Sequence, residues 1–198
     1  MSADIVIKGG TVVDGSGGPG YEAADAEPGR VLSAVGPGLD GARELDASGA
    51  VVCPGFIDIH THYDAQVFWD PSLTPSSHHG VTTVIAGNCG VSIAPVRPSL
   101  VPLLARTLQH VEDMSLDTLT AGVPWDEFET FPQYLDAVAR RGTALNYGCY
   151  VGHTATRMFV MGEDAYERSA TPAELDEMQA IVADAMAAGA IGFASSSS

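Results

Sequence analysis

The sequence predicts an α/β fold in which a parallel sheet with crossover helices follows a small all-β segment. Three features predict it. Residues 1–54 are short β-type runs punctuated by glycine, residues 55–198 alternate apolar strand-like runs with helical stretches, and two of those later runs end in side chains suited to a metal. Alternation of strand and helix calls for parallel pairing, because a crossover connection is what brings the chain back to start a parallel neighbour.

In the first segment DIVIKGG, TVVDGSGG, GRVLSAVG and RELDASGAVVCPG read as strands of a small sheet, and no stretch has helical periodicity. Gly15, Gly17 and Gly20 in GSGGPG match the spacing of a dinucleotide-binding loop, but the following YEAADAEPGR contains Pro28 and Gly29 and has no amphipathic period. No helix N-terminus would face a pyrophosphate, so a hairpin turn is expected. From Gly55 the strand runs are FIDIHTH, VTTVIAG, TALNYGCYVGH and the start of IGFASSSS. Between them SLVPLLARTLQHVEDM reads as a helix, as does TPAELDEMQAIVADAMAAGA, with Thr171, Pro172 and Glu174 at its start and Gly189 at its stop.

With 198 residues, 45% hydrophobic and 17% charged, the chain has the composition of a folded domain rather than a disordered one. Its 25 acidic and 9 basic side chains give a net charge of −16, which repels phosphate backbones and anionic membranes, so no nucleic acid and no membrane is expected as partner. Cys53, Cys89 and Cys149 are sparse and lack CxxC spacing, which fits a reducing, cytoplasmic setting rather than a disulfide framework. No apolar run approaches the roughly 18 residues of a membrane span, and MSADIVIKGG, with neither a basic start and long apolar core nor a cleavage site, does not read as a secretion signal.

The chemistry begins in GFIDIHTHYDAQ. If the strand runs on, Asp58, His60 and His62 share one face, while Ile57, Ile59 and Thr61 share the other. Two imidazoles side by side gain little unless something bridges them, and a divalent metal does this well; a hydrogen-bonded pair at a strand end is the alternative. The next strand ends in AGNCGVS. Gly87 and Gly90 free the backbone to turn, and Cys89 then sits level with the histidines as a thiolate ligand, unless it is only a small buried apolar residue.

GFIDIHTHYDAQ followed by HGVTTVIAGNCGVSIAP resembles the N-terminal part of the N-acyl-D-amino-acid deacylases (D-aminoacylases) of the amidohydrolase superfamily. VEDM, PWDEFETFPQYLDAV, GHTATRMFVMGE and ATPAELDEMQAIVADAMAAGAIGF are similar to that group as well, so the likeness runs along nearly the whole chain. The resemblance implies a (β/α)8 TIM barrel, of which residues 55–198 would supply about the first four strands, preceded by a small β-sandwich segment over 1–54. It implies Zn2+ as cofactor and an N-acyl-D-amino acid as small-molecule substrate. His60 and His62 match the histidine pair of a weaker metal position, and Cys89 matches the cysteine ligand of a tight zinc. His153 maps to no family ligand and reads as a hydrogen-bonded histidine at the cleft rim. Arg157 reads as a helix-surface ion pair or a partner for a substrate carboxylate.

Two departures from the family pattern stand out: His78 where a large apolar residue is expected, and AADAEPGR where an apolar-alternating strand of the small domain is expected, leaving that sheet one strand poorer. Residues 55–198 also fall well short of the roughly 250 that a complete barrel needs. The expectation is therefore an N-terminal fragment of a longer metal-dependent hydrolase, inactive by itself. Its missing C-terminal half would carry the remaining ligands and the catalytic aspartate. The rival readings are an amidohydrolase acting on cyclic amides, such as a dihydroorotase or hydantoinase, and an inactive half-barrel. Catalytic and substrate-binding residues are not assigned from the sequence.

Overall fold

Seven short strands build the first of two units into which the chain divides, residues 1–55 and 56–198; the computed structural model describes residues 3–22, 24–27 and 34–196. The strands are β1 (Ala3–Lys8), β2 (Thr11–Val12), β3 (Tyr21–Glu22), β4 (Ala24–Glu27), β5 (Ala34–Gly36), β6 (Gly41–Asp46) and β7 (Val51–Val52). They form two sheets, β5-β4-β1-β6 and β3-β2-β7. Val6 in β1 and Val12 in β2 are the unit's buried apolar side chains among the described residues. Val12 pairs antiparallel with Tyr21, so GSGGPG is the connection of a hairpin, with Gly15 and Gly17 at positive φ. The strand expected over 29–36 lies partly outside the described residues; Ala34–Gly36 is its described part. AADAEPGR does not leave the sheet a strand short. Its Ala24–Glu27 is β4, bonded to β1 on one side and β5 on the other, because ladder pairing is a backbone property that needs no apolar alternation.

The second unit holds β8 (Phe56–Asp58), α1 (Tyr63–Gln66), β9 (Val81–Ala86), α2 (Val101–Glu112), α3 (Leu116–Gly122), α4 (Phe131–Arg141), β10 (Asn146–Gly152), α5 (His153–Met161), α6 (Pro172–Ala187) and β11 (Gly192–Ala194). Its four strands pair in chain order, β8-β9-β10-β11, all parallel. Sequential order with one hand of crossover sends successive helices to the same face, as in one wall of a barrel, and brings the carboxyl ends of all four strands to one rim.

Local chemistry sets the helix ends. Thr130 and Thr171 each accept from the backbone N–H three residues on, and Gln133 and Glu174 reach back, so α4 and α6 both start with a capping box. Gly189, at φ 109, follows α6. The core holds Leu73, Val84, Ile93, Leu104, Leu119 and Val151 together with Phe131 and Tyr134. Phe68 and Phe128 stack with ring centroids 5.8 Å apart. No helix among the described residues is long and apolar enough to cross a membrane.

Candidate metal centre

β8 ends at Asp58, four residues short of His62, so the histidines do not sit on a continuing strand as the alternation suggests. What holds them is Thr61. Its N–H and its hydroxyl both donate to the Ile85 carbonyl, at 3.0 and 2.8 Å, which prolongs the attachment to β9 past the strand's end. The chain then turns into α1, with His62 as the residue before the helix at φ −118° and ψ 43°.

Cys89 is placed by the next strand. β9 ends at Ala86, and Gly87, Cys89 and Gly90 all take positive φ, of 75°, 56° and 76°. A left-handed cysteine is unusual, and its neighbours hold it there. The Asn88 side chain donates to the carbonyls of Ile85 at 2.8 Å and Thr61 at 3.2 Å, tying the Cys89 turn to the histidine turn. The Gly87 N–H donates to Asp64 Oδ2 at 3.1 Å.

Three donors meet as a result. His60 Nε2 lies 3.2 Å from Cys89 Sγ, the two imidazole centroids are 5.4 Å apart, and one ligand atom from each of His60, His62 and Cys89 lies within 4.8 Å of the others. A tetrahedral zinc would set nitrogen and sulfur ligands roughly 3.5 Å apart, so this donor set is compact enough for one ion. The donors are also chemically apt, being two imidazoles and one soft thiol.

Glu112, the last residue of α2, completes the surroundings. Its Oε1 is 3.0 Å from His62 Nδ1, yet the pair lies off the line that a hydrogen bond needs, and Nδ1 is buried without a partner. Burial, and then the nearby His60, push the His62 pKa down, while burial pushes the Glu112 carboxyl up against a smaller opposing effect of His60. The contact is therefore not a formed ion pair: the ring is held neutral, the state in which imidazole binds a metal.

Beneath the site lies a buried polar network that the sequence reading did not anticipate. Asp64 is 2% exposed, and burial pushes its carboxyl up to about 7 against the opposing Gly87 N–H. The Cys149 thiol faces Asp64 Oδ1 at 3.9 Å and is pushed up by burial and then by that carboxylate. Tyr134 donates to the Asp64 carbonyl at 3.1 Å, and its oxygen is 2.6 Å from that of Tyr147.

The remaining candidates go elsewhere. His153 opens α5 and packs its ring edge-on against Phe193, 5.9 Å away, beside the apolar Leu175, Met178 and Val182, in place of a hydrogen bond at the rim. Arg157 donates to the carbonyls of Ala165 and Arg168, which serves the local loop rather than an ion pair. His78 is exposed, so a polar side chain suits its position. Nothing in the sequence singles out Glu112 and Asp64, because one acidic side chain among 25 carries no periodic signal.

Residues 43–197 match the model of the amidohydrolase family. A D-aminoacylase of Alcaligenes xylosoxydans xylosoxydans is 40% identical over 191 residues, covering 96% of this chain and 37% of its own length. Among solved structures, a D-aminoacylase described as having a binuclear metal centre superposes with TM-score 0.82 at 38% identity. The N-acyl-D-glutamate deacylase of Bordetella bronchiseptica, complexed with zinc and a phosphonate mimic of the tetrahedral intermediate, gives 0.82 at 31%. Each superposition covers 98% of this chain and 38% of the other, so the chain spans a little over a third of the length of these relatives.

Proposed function

From the premise that this chain belongs to the amidohydrolase family, we propose that it forms the first part of a zinc-dependent N-acyl-D-amino-acid deacylase, working within a longer polypeptide. The substrate is a small N-acyl-D-amino acid, cleaved at its linear amide bond. Residues 1–54 are a segment of a small β-sandwich domain, and residues 55–198 are the first four strands of a (β/α)8 barrel. The observation that supports this reading most is the meeting of His60, His62 and Cys89 at the carboxyl ends of two adjacent parallel strands.

In this reading His60, His62 and Cys89 are metal ligands. When bound, zinc supplies Lewis-acid polarisation of the amide carbonyl and acidifies water. The protein's own part is preparation. Burial, and then the nearby His60, favour the neutral ring of His62, the form that can ligate. The turn at Gly87 fixes the sulfur before any ligand arrives, and the Thr61 and Asn88 bonds keep the two ligand turns in register.

Metal analysis of the purified chain tests this. The parent is expected to retain zinc, Cys89→Ala to lose the tightly held ion, and His60→Asn to weaken binding by less. Full zinc in Cys89→Ala overturns the ligand assignment. Substrate class is tested separately on a polypeptide that includes the remaining length of the relatives: free amino acid should appear from N-acetyl-D-methionine or N-acetyl-D-leucine and not from the L-isomers, whereas the 198-residue chain should match background.

A further inference from the structure

We propose that Glu112 is the positioning residue of His62, its carboxylate accepting the Nδ1 proton and so leaving Nε2 as the ring's free lone pair for a metal. The inference rests on the metal-centre reading above and adds to it a residue from a different element. Glu112 lies outside the three-donor group, so it acts through His62 and not as a ligand.

Several observations converge on this carboxylate. His62 Nδ1 is the buried side-chain polar atom without a hydrogen-bond partner among the described residues, and the Glu112 oxygen is 3.0 Å away. A buried imidazole nitrogen left unpaired loses its hydration with nothing in return, and so does a carboxylate that is 11% exposed with no lysine or arginine within ion-pair distance among the described residues. Each is the other's available remedy. The separation is already that of an N–H···O bond, and what is missing is angle. The last torsion of an imidazole or a carboxylate has a broad energy profile, so a modest rotation supplies it.

Glu112 also sits where local energetics disfavour it. It is the last residue of α2, with its negative charge at the negative end of the helix dipole, and Asp113 after it takes φ 53° in the left-handed region without being glycine. A carboxylate half-buried there, against the dipole and followed by a strained turn, needs a partner to account for its position, and the partner in reach is His62.

The chemical consequence is a choice of tautomer. A neutral imidazole carries one proton on either nitrogen, and a carboxylate facing Nδ1 requires the proton there, because two lone pairs would otherwise oppose each other. Nε2 is then aprotic and ready to ligate, the arrangement by which a carboxylate behind a ligating histidine raises metal affinity.

Nitrogen-15 NMR of the metal-free chain, with His62 assigned through His62→Asn, reads the tautomer, and zinc chloride titration reads the affinity. The parent is expected to show His62 protonated at Nδ1. Glu112→Ala should move the proton to Nε2 and weaken zinc binding about 10- to 100-fold. Glu112→Gln, whose amide oxygen can still accept, should keep the parent tautomer with an intermediate affinity, and it serves as the test variant if Glu112→Ala does not fold. A parent protonated at Nε2, or unchanged zinc affinity in Glu112→Ala, overturns the proposal. A parent with the Nδ1 proton that binds no zinc overturns the metal-centre reading and the ligand role with it, while the Glu112–His62 pairing stands.

Discussion

Gly87→Ala is expected to damage the site more than any other single methyl group added to its turns. Gly87 sits at φ 75°, where an L side chain costs about 1–2 kcal/mol, and its added Cβ would lie 2.1 Å from the Tyr150 carbonyl oxygen. Real Cβ contacts essentially never fall below 3.0 Å, so something must move by roughly 0.9 Å. Tyr150 cannot give way easily, because β10 is bonded on both sides, Cys149 opposite Ala86 of β9 and Tyr150 opposite Gly192 of β11. Overpacking of this kind costs about 1–3 kcal/mol, for a total of about 2–5 kcal/mol. Gly80→Ala is the control, since Gly80 is also left-handed at φ 79° and ψ 13° but its added Cβ would meet nothing nearer than an ordinary 3.5 Å contact with Phe56, and should lose the dihedral part alone. Urea denaturation followed by circular dichroism measures both; with m near 2 kcal/mol/M the Gly87 variant should melt about 1 M or more below the parent. Its zinc affinity should also fall, because Cys89 is two residues along the displaced turn. Equal losses in the two variants would refute the close-approach argument.

Other outcomes follow from single features. The Asp64 carboxyl, pushed up to about 7, holds its proton more tightly folded than unfolded, so its contribution to stability is complete below about pH 4 and is lost as pH rises through 7, by up to about 4 kcal/mol. Asp64→Asn should remove that fall, and parallel stability–pH curves for parent and variant would show the assignment to be wrong. Cys89→Gly relieves a left-handed cysteine and should leave the fold as stable or up to about 1 kcal/mol more stable while abolishing tight zinc binding; calorimetry and metal analysis together check it. Thr171→Ala breaks the capping box of α6 and should cost about 1 kcal/mol, read from the thermal melt. Ile57 in β8 and Ile59 just beyond its end, 62% and 70% exposed, should make the parent associate at physiological salt, and Ile57→Lys with Ile59→Lys should restore a monomer by light scattering; a monodisperse parent would contradict this.

The parts of the fold that were legible in the sequence are those where one local rule acted alone. The α6 boundaries follow from Thr171, Pro172, Glu174 and Gly189, and the four strands of the second unit from their apolar runs. α4 carried an equally clear start in Thr130 and Gln133, with Phe131, Tyr134, Leu135 and Val138 at helical spacing, yet its flanking run of acidic and aromatic residues obscured the period. The end of β8 was not legible, because alternation continues through His62 in the sequence, whereas a side chain, Thr61, makes the attachment in the fold. β4 was missed for the opposite reason: its pairing is made by backbone alone. Glu112 and Asp64 were invisible because their meaning comes from what lies across from them, His62 from α2 and Gly87 from the start of α1.

What unites these residues is where local rules are broken. Among the described residues, three besides glycine take positive φ, namely Leu73, Cys89 and Asp113, and two of the three are a candidate ligand and the residue behind Glu112. To the same region belong the orphaned His62 Nδ1, a half-buried carboxylate at a helix C-terminus, and the buried carboxyl of Asp64. Packing alone would select against each of them, since glycine at 89, glycine at 113 or an amide at 64 would relieve the strain or the buried charge. Distributed at random they would be unrelated defects. Gathered at the carboxyl ends of adjacent parallel strands, and linked through Thr61, Asn88 and Gly87, they have a common explanation in the proposed metal centre of His60, His62 and Cys89 with Glu112 behind it. Substitutions that relax these positions must raise stability or leave it alone while metal binding falls, because a set of residues that lost both together would be serving the fold.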